Sequence, residues 1–471
     1  MKTSVAVIGG GCAGWFAADE LTRRGIRCVV IDTDPPAAFA STRNQGWLQS
    51  GALYGAMEDD IPTARFCREG FHLIRSRYPN VIRTGIPGYF LLRHEEELHL
   101  VVKHCRDQAI AARPVSIRDV KRREPILGSS RLAYAVEVSD IPFDSSRLLQ
   151  EIATQACGRG ALFRPVSSLE AVKPIWDGKN WHVFLASDDE IECRAIVLAC
   201  GAYIPDMLER VVPGQTCAFK RTKNPVLVLR GEVASSILIT LRELQGPHLV
   251  PFNGIRGKGA SICLYRTEED IADCRDYTLP LLCLERYAES LANFYPGLLT
   301  MLSQGVPIQA HFYVCQKLYL ADDFENNPSS RRPACLAYSP QPGALQTLFA
   351  FYPGKFTAAP IAARECIDEL ERCLEDLRIY NVSEAGEVVA VPTMARQRYY
   401  DNPEYILAVK NGRLVFDPYR VEDSYKIFSG ASYAKEQNGF SGGSINTQSE
   451  KSSSEESYVL RLHTCKSLQD S

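Results

Sequence analysis

The sequence has little excess of charge of either sign: 53 Lys and Arg stand against 56 Asp and Glu, a formal net charge of -3. That balance excludes the electrostatic footprint of a chain built to bind nucleic acid or an anionic membrane. No apolar run reaches the ~18 residues that a membrane-spanning helix needs. No internal repeat is seen. The apolar opening SVAVIGGGCAG is short, Gly-rich and soon followed by Asp19 and Glu20, unlike a signal peptide. Cysteine is plentiful at 16 residues, but no CxxC spacing is present. Thiols scattered among apolar neighbours, such as Cys28, Cys200 and Cys263, read as small buried hydrophobes of a reducing compartment rather than disulfides or zinc ligands. A cytoplasmic location and no metal site are the expectations.

What is present suits a globular enzyme. The 471 residues are 45% hydrophobic and 23% charged, with length enough for two domains and a large buried core. SVAVIGGGCAGWFAADELTRRGIRCVVID reads as strand, turn, helix and strand. Gly9, Gly11 and Gly14 form GxGxxG: the first permits a tight turn, the second lets backbone approach a pyrophosphate, and the third lets helix and strand pack closely. The helix N-terminus offers free N–H groups and about half a positive charge to phosphates. Asp32, ending the second strand, suits a ribose diol. This pattern indicates a dinucleotide without choosing between NAD and FAD.

The stretch STRNQGWLQSGALYG (residues 41–55) is too polar for a core strand and too Gly-punctuated for a plain helix. It resembles the second flavin-contacting stretch of the D-amino-acid-oxidase-type FAD oxidoreductases. Within that superfamily the pattern is most similar to glycerol-3-phosphate and L-2-hydroxyglutarate dehydrogenases. Ser41, Thr42, Arg43, Asn44 and Gly51 match, and Gln49 stands where those enzymes often carry His. The resemblance implies that Ser41, Thr42, Arg43, Asn44 and Gly46 follow the ribityl chain and pyrophosphate. It puts Trp47 and Leu48 against the isoalloxazine, with no covalent His–flavin link at Gln49.

Three further segments extend the resemblance over roughly residues 1–385. GALFRPVSSLEAV contains the strand whose Val, here Val166, meets adenine through its main chain. ECRAIVLACGAYIPDML resembles the late sheet strand that passes the dinucleotide at Gly201. LFAFYPGKFTAAPIAARECIDELERCLEDL is a strand, a loop and an amphipathic helix, similar to the GGK-x-T flavin loop at Pro353, Gly354, Lys355 and Thr357, with Phe356 between. Its helix N-terminus and Lys355 would stabilise negative charge on reduced flavin.

Between these segments PVLVLRGE, HLVPFNG, ASICLYR and QAHFYVCQKLYL read as strands of an antiparallel substrate domain. In QAHFYVCQKLYL, period two puts His311, Tyr313, Cys315 and Lys317 on one face. The resemblance matches Lys317 to a family Lys and replaces the family's Arg by Cys315. The expected catalytic set is therefore Lys317, His311, Tyr313 and Gln49, while Lys317, Arg256, Arg266 and Lys355 are candidates to hold an anion. His94, His99 and His104 fall on one helical stretch without a ligand spacing and are expected on a solvated face.

The expected fold is α/β: a Rossmann-like FAD domain from residues 1–82, 148–216 and 318–384, and an antiparallel β-rich substrate domain from 83–147 and 217–317. Residues 385–429 are expected to form an extension with an Asn411-Gly412 hairpin, and 430–471, Ser/Gly-rich, a largely disordered tail in which SYVLRLHTC reads as a short strand or a partner-binding segment. The implied activity is FAD-dependent removal of hydride from a C–H beside a hydroxyl or an amine of a small anionic substrate. Oxygen, a quinone or a protein then takes the electrons. A flavin-bound accessory protein acting with a partner is the alternative.

Overall fold

The computed structural model describes residues 1–56, 60–185, 189–214, 219–241, 246–254, 257–265, 267–280, 282–321, 332–374, 391–394 and 404–418. Arg256, Arg266 and the tail from residue 430 lie outside the described residues.

The opening motif folds as its pattern demands. β1 (Lys2–Ile8) turns through residues 9–11 into α1 (Cys12–Arg23), and β2 (Cys28–Thr33) returns parallel to β1. Parallel strands covered on both faces read as unbroken apolar runs, and these do. Val5 and Val7 face one core and Ala6 and Ile8 the other; Val29 and Ile31 alternate with Cys28 and Val30 in the same way. The sheet continues in parallel through β8 (Leu162–Val166), β11 (Glu190–Leu198) and β19 (Leu348–Tyr352), in the order β8-β2-β1-β11-β19. An antiparallel edge strand, β18 (Ala334–Tyr338), closes one side, and β9 (Lys173–Trp176) and β10 (Trp181–Phe184) extend β11. One face is covered by α1, α3 (Ile61–Arg77), α6 (Ser145–Gly158) and α10 (Ala359–Cys373). The other is covered by the β9–β10 pair and α7 (Ile204–Val211).

The second sheet is antiparallel but for one parallel pair. Its path is β21-β20-β17-β12-β15-β14-β13-β4-β6-β5. The members are β4 (Gly88–Leu92), β5 (Ala112–Val115), β6 (Tyr134–Val138), β12 (Phe219–Arg230), β13 (Ile237–Thr240), β14 (Pro247–Gly254), β15 (Gly257–Leu264), β17 (Ile308–Leu320), β20 (Glu404–Lys410) and β21 (Arg413–Pro418). β16 (Glu269–Asp270) pairs beside β12, and β4 with β13 is the parallel pair. Alternation again sorts side chains: Leu227 and Leu229 face the core under α8 (Cys283–Phe294) and α9 (Gly297–Ser303), while Val226 and Val228 face the other way. Asn411 and Gly412 take the positive φ values, 51° and 75°, that a tight hairpin needs, and β20 adds to the edge of β17. β17 runs unbroken past residue 317, and its Leu318 joins the core of the first sheet.

One histidine expectation is corrected. His104, on α4 (Glu95–Asp107), is 7% exposed, with Nδ1 3.2 Å from the Ala56 carbonyl. It follows Val101 by three residues and neighbours Cys105, both fully buried, so it shares the helix's inward face rather than a solvated one. A small two-stranded pair, β3 (Trp47–Leu48) with β7 (Ile141–Pro142), and short helices α2 (Ala52–Gly55) and α5 (Ile117–Arg123) complete the described elements that bear on the site.

Candidate functional site

The Gly-rich turn has no room for side chains. A Cβ on Gly9, whose φ is +110°, would lie 2.6 Å from the Ala199 carbonyl oxygen, and one on Gly14 would lie 1.8 Å from the Gly9 oxygen. A Cβ on Gly11 would meet Ser41 Oγ at 2.8 Å. The Cys12 N–H donates to that same Ser41 oxygen at 2.8 Å, so the polar stretch closes over the first turn of α1. Asp32 is buried, and its carboxylate accepts from the N–H groups of Gly10 (2.9 Å), Thr33 (2.8 Å) and Ala37 (3.2 Å). Burial pushes its carboxyl above the ordinary range against the pull of those donors.

The second sheet and the loops beside α1 and α10 hold the 41–50 segment. The Thr42 hydroxyl donates to the Ala37 carbonyl at 2.7 Å, and the Gly46 N–H to Asn44 Oδ1 at 2.8 Å. From the second sheet, Tyr313 donates its hydroxyl to the Asn44 carbonyl at 2.9 Å and Ser261 donates to the Gln45 carbonyl at 2.7 Å. Gln45 Nε2 donates to the His248 carbonyl at 3.0 Å. Asp140, at the corner between β6 and β7, accepts from Trp47 Nε1 at 2.8 Å and from the Ser50 N–H at 2.7 Å, and also from the Ser50 hydroxyl. Burial lifts its carboxyl to about 6. The third segment meets the second where the Gln49 N–H donates to Thr357 Oγ1 at 3.1 Å.

Gly9, Gly11, Asp32, Ser41, Arg43, Asn44, Trp47, Gln49, Gly201, Lys317, Gly354, Lys355, Phe356 and Thr357 all line one cavity between the sheets. Gly14, Thr42 and Gly46 lie behind its wall as packing and turn residues. Val166 ends β8 beside Thr33 and is not part of the wall. Tyr313 stands behind the wall, bonded to Asn44 and packed with Val226, and His311, buried opposite Val228 further along β17, is not among the lining residues. Burial and Arg230 hold the His311 ring at about 4, so it stays neutral.

Sequence reasoning missed several wall residues. Asn224 lies opposite Cys315 on β12, and Tyr277 stacks on Phe39 while Arg43 sits 4.5 Å above its ring. Asp140, behind Trp47, had one signal, an acid at an apolar strand corner. Four thiols also line the cavity; burial raises Cys12 to about 11, Cys200 and Cys263 to about 12, and Cys315 above its ordinary value. They are neutral at pH 7 and act as apolar wall. Three cations face the space: Arg43, Lys355, whose Nζ is 5.4 Å from the Tyr54 ring, and Lys317, 3.3 Å from Glu268. Among the described wall residues Asp32 is the sole carboxylate and there is no histidine. Among the described residues, buried Gln49 Oε1, Asn224 Oδ1 and Arg43 Nε have no hydrogen-bond partner, as expected of walls that meet a polar ligand.

A family model described as FAD dependent oxidoreductase (DAO) matches residues 4–327. One component of the anaerobic glycerol-3-phosphate dehydrogenase of Escherichia coli K12 is 27% identical over 164 residues, which are 34% of this chain and 30% of that protein. Its Haemophilus influenzae counterpart is 29% identical, over 34% of this chain and 28% of that one. The match thus spans about a third or less of these curated relatives. Among solved structures, glycine oxidase from Geobacillus kaustophilus shares the fold with TM-score 0.59 at 16% identity, over 83% of this chain and 98% of that one. The L-alpha-glycerophosphate oxidase of Mycoplasma pneumoniae with FAD bound does so with TM-score 0.61 at 13% identity, over 84% and 98%. With a glycine cradle between two sheets and a family match over most of its length, the chain belongs to the DAO family of FAD-dependent oxidoreductases.

Proposed function

We propose that this oxidoreductase takes hydride from the C–H beside a hydroxyl of a small anionic substrate. The observation that carries the reading is the convergence of Arg43, Lys317 and Lys355 on a cavity whose sole described carboxylate, Asp32, is already engaged by three N–H groups. Cations on a partly dry wall attract and orient an anion. FAD, when bound, supplies the hydride acceptor. Gly9, Gly11 and Gly14 admit its pyrophosphate to the N-terminus of α1, Asp32 meets ribose, and Val166 and Gly201 offer main chain nearby. Ser41, Thr42, Arg43, Asn44, Gly46, Trp47 and the 354–357 loop hold the remainder, with Gln49 in contact but not covalently joined. Lys317 orients the substrate anion, and the hydroxyl proton leaves to water, no described wall residue being a histidine. Tyr313 positions Asn44 from behind. Residues 1–82, 148–216 and 318–384 form the FAD half, 83–147 and 217–317 the substrate half. Oxygen, a quinone or a protein takes the electrons.

The relatives named as glycerol-3-phosphate dehydrogenases support a hydroxyl over an amine. Oxidation of an amine or amino acid is the second reading, supported by the likeness to glycine oxidase. Anaerobic titration of the FAD-loaded protein distinguishes them. Glycerol 3-phosphate or a 2-hydroxy acid should bleach the flavin absorbance without ammonia release. Bleaching by amino acids alone, with ammonia, overturns the hydroxyl reading. No bleaching by any of them points to an accessory role.

A further inference from the structure

β18 and α10 bring two cysteines far apart in sequence into contact. Cys335 Sγ lies 3.0 Å from Cys366 Sγ, closer than two non-bonded sulfurs ordinarily approach, across 31 positions of chain. Among the described cysteines no other pair of thiols is hydrogen-bonded. Cys335 is half-buried on the edge strand, and Cys366 is buried on the inward face of α10. We propose that Cys335 and Cys366 are a reversible dithiol–disulfide pair that staples β18 to α10.

The loop so closed contains β19, the cavity segment 353–357 and the first half of α10. A bond at its base fixes both ends of the segment that carries Lys355 and Thr357. The oxidant is a small disulfide such as oxidised glutathione. The Cys335 thiolate attacks one glutathione sulfur and expels one glutathione thiolate, giving a mixed disulfide. The Cys366 thiolate then attacks Cys335 Sγ and expels the second. Two S–H protons go to water, two electrons go to the oxidant, and one S–S bond replaces another. The hydrogen bond to Cys335 and burial hold the Cys366 thiol well above its ordinary value, so closure quickens as pH rises. Cys373, seven residues further along α10, is the competing partner; its thiol lies 3.9 Å from Glu369.

Full-length holoprotein is incubated with oxidised glutathione and digested without reduction. The expected result is a peptide pair joined through Cys335 and Cys366, an intact mass lower by about 2 Da, and reversal by dithiothreitol. Cys335→Ser and Cys366→Ser lose the joined pair, and Cys373→Ser keeps it. A stable glutathione adduct on Cys335 with Cys366 still alkylatable after unfolding overturns the proposal, as does a cross-link to Cys373. Those readouts on the wild-type chain stand even if a serine variant fails to fold. The link to the cavity rests on the proposed FAD site. It predicts that flavin release, followed by fluorescence, is several-fold slower after oxidation in wild type and unchanged in Cys335→Ser. Equal rates overturn that link, while peptide mapping judges the pair by itself.

Discussion

Asp140 holds Trp47 and Ser50 with a carboxylate that burial lifts to about 6. In the unfolded chain an aspartate titrates near 3.9. The folded value is the higher one, so this group's contribution is full below the unfolded value and is lost as pH rises through about 6. The difference is on the order of 3 kcal/mol. Asp140→Asn removes the titration and leaves one acceptor oxygen for three donors. The Tm of the variant relative to wild type should therefore rise between pH 4 and 6 and then level, on a plateau that lies about 1–3 kcal/mol below wild type through lost charge-assisted bonds. A pH-independent difference in thermal melts would sink this account. Lys317→Gln tests the anion site at the same scale: KM for the anionic substrate should rise about tenfold, or 1.4 kcal/mol, with a smaller change in kcat. An unchanged KM removes Lys317 from substrate binding.

Elements place these residues by close backbone contact. On α3, a Cβ at Gly70 would lie 1.9 Å from the Thr357 carbonyl oxygen, so the helix seats the third cavity segment directly. Gly70→Ala should destabilise by about 1–3 kcal/mol and weaken FAD binding, although Gly70 is not part of the cavity wall. Gly158→Ala on α6, where no atom lies within 4 Å of the added Cβ, is the control and should be neutral or slightly stabilising. Chemical denaturation and flavin fluorescence read both effects; equal behaviour of the two variants would refute the contact. The GxGxxG unit was legible because each glycine has a local reason, and so were the apolar runs of β1, β2 and β11. Gly70 was not, since its neighbour is 287 residues away in sequence and nothing around it in α3 signals a close approach.

At the scale of the molecule, the described residues form one compact unit in which both sheets supply cavity wall. Tyr313, Ser261 and the His248 carbonyl of the second sheet hold the same loop that Ser41 closes over α1. Unfolding either sheet therefore dismantles the site. Calorimetry should show one cooperative transition, raised by added FAD as RT ln(1 + [L]/Kd) requires. Two transitions, with FAD moving only one, would show that the sheets melt independently. Tyr313→Phe should lower the FAD-dependent part of that shift by about 1 kcal/mol.

The sequence by itself determined the nucleotide-binding unit, the order of the cavity-lining segments, the alternating strands and the Asn411-Gly412 hairpin. Turn chemistry, helix caps and hydrophobic period act over a few neighbouring residues and are written there. Which candidates share a wall was decided by tertiary structure. Period two put His311, Tyr313, Cys315 and Lys317 on one face, but the cavity meets only the end of β17 that carries Cys315 and Lys317. Asp140, Asn224, Tyr277 and the Cys335–Cys366 contact arose in the same way. Their positions depend on how two twisted sheets and a helix layer close on one another, a long-range packing outcome that no local pattern encodes.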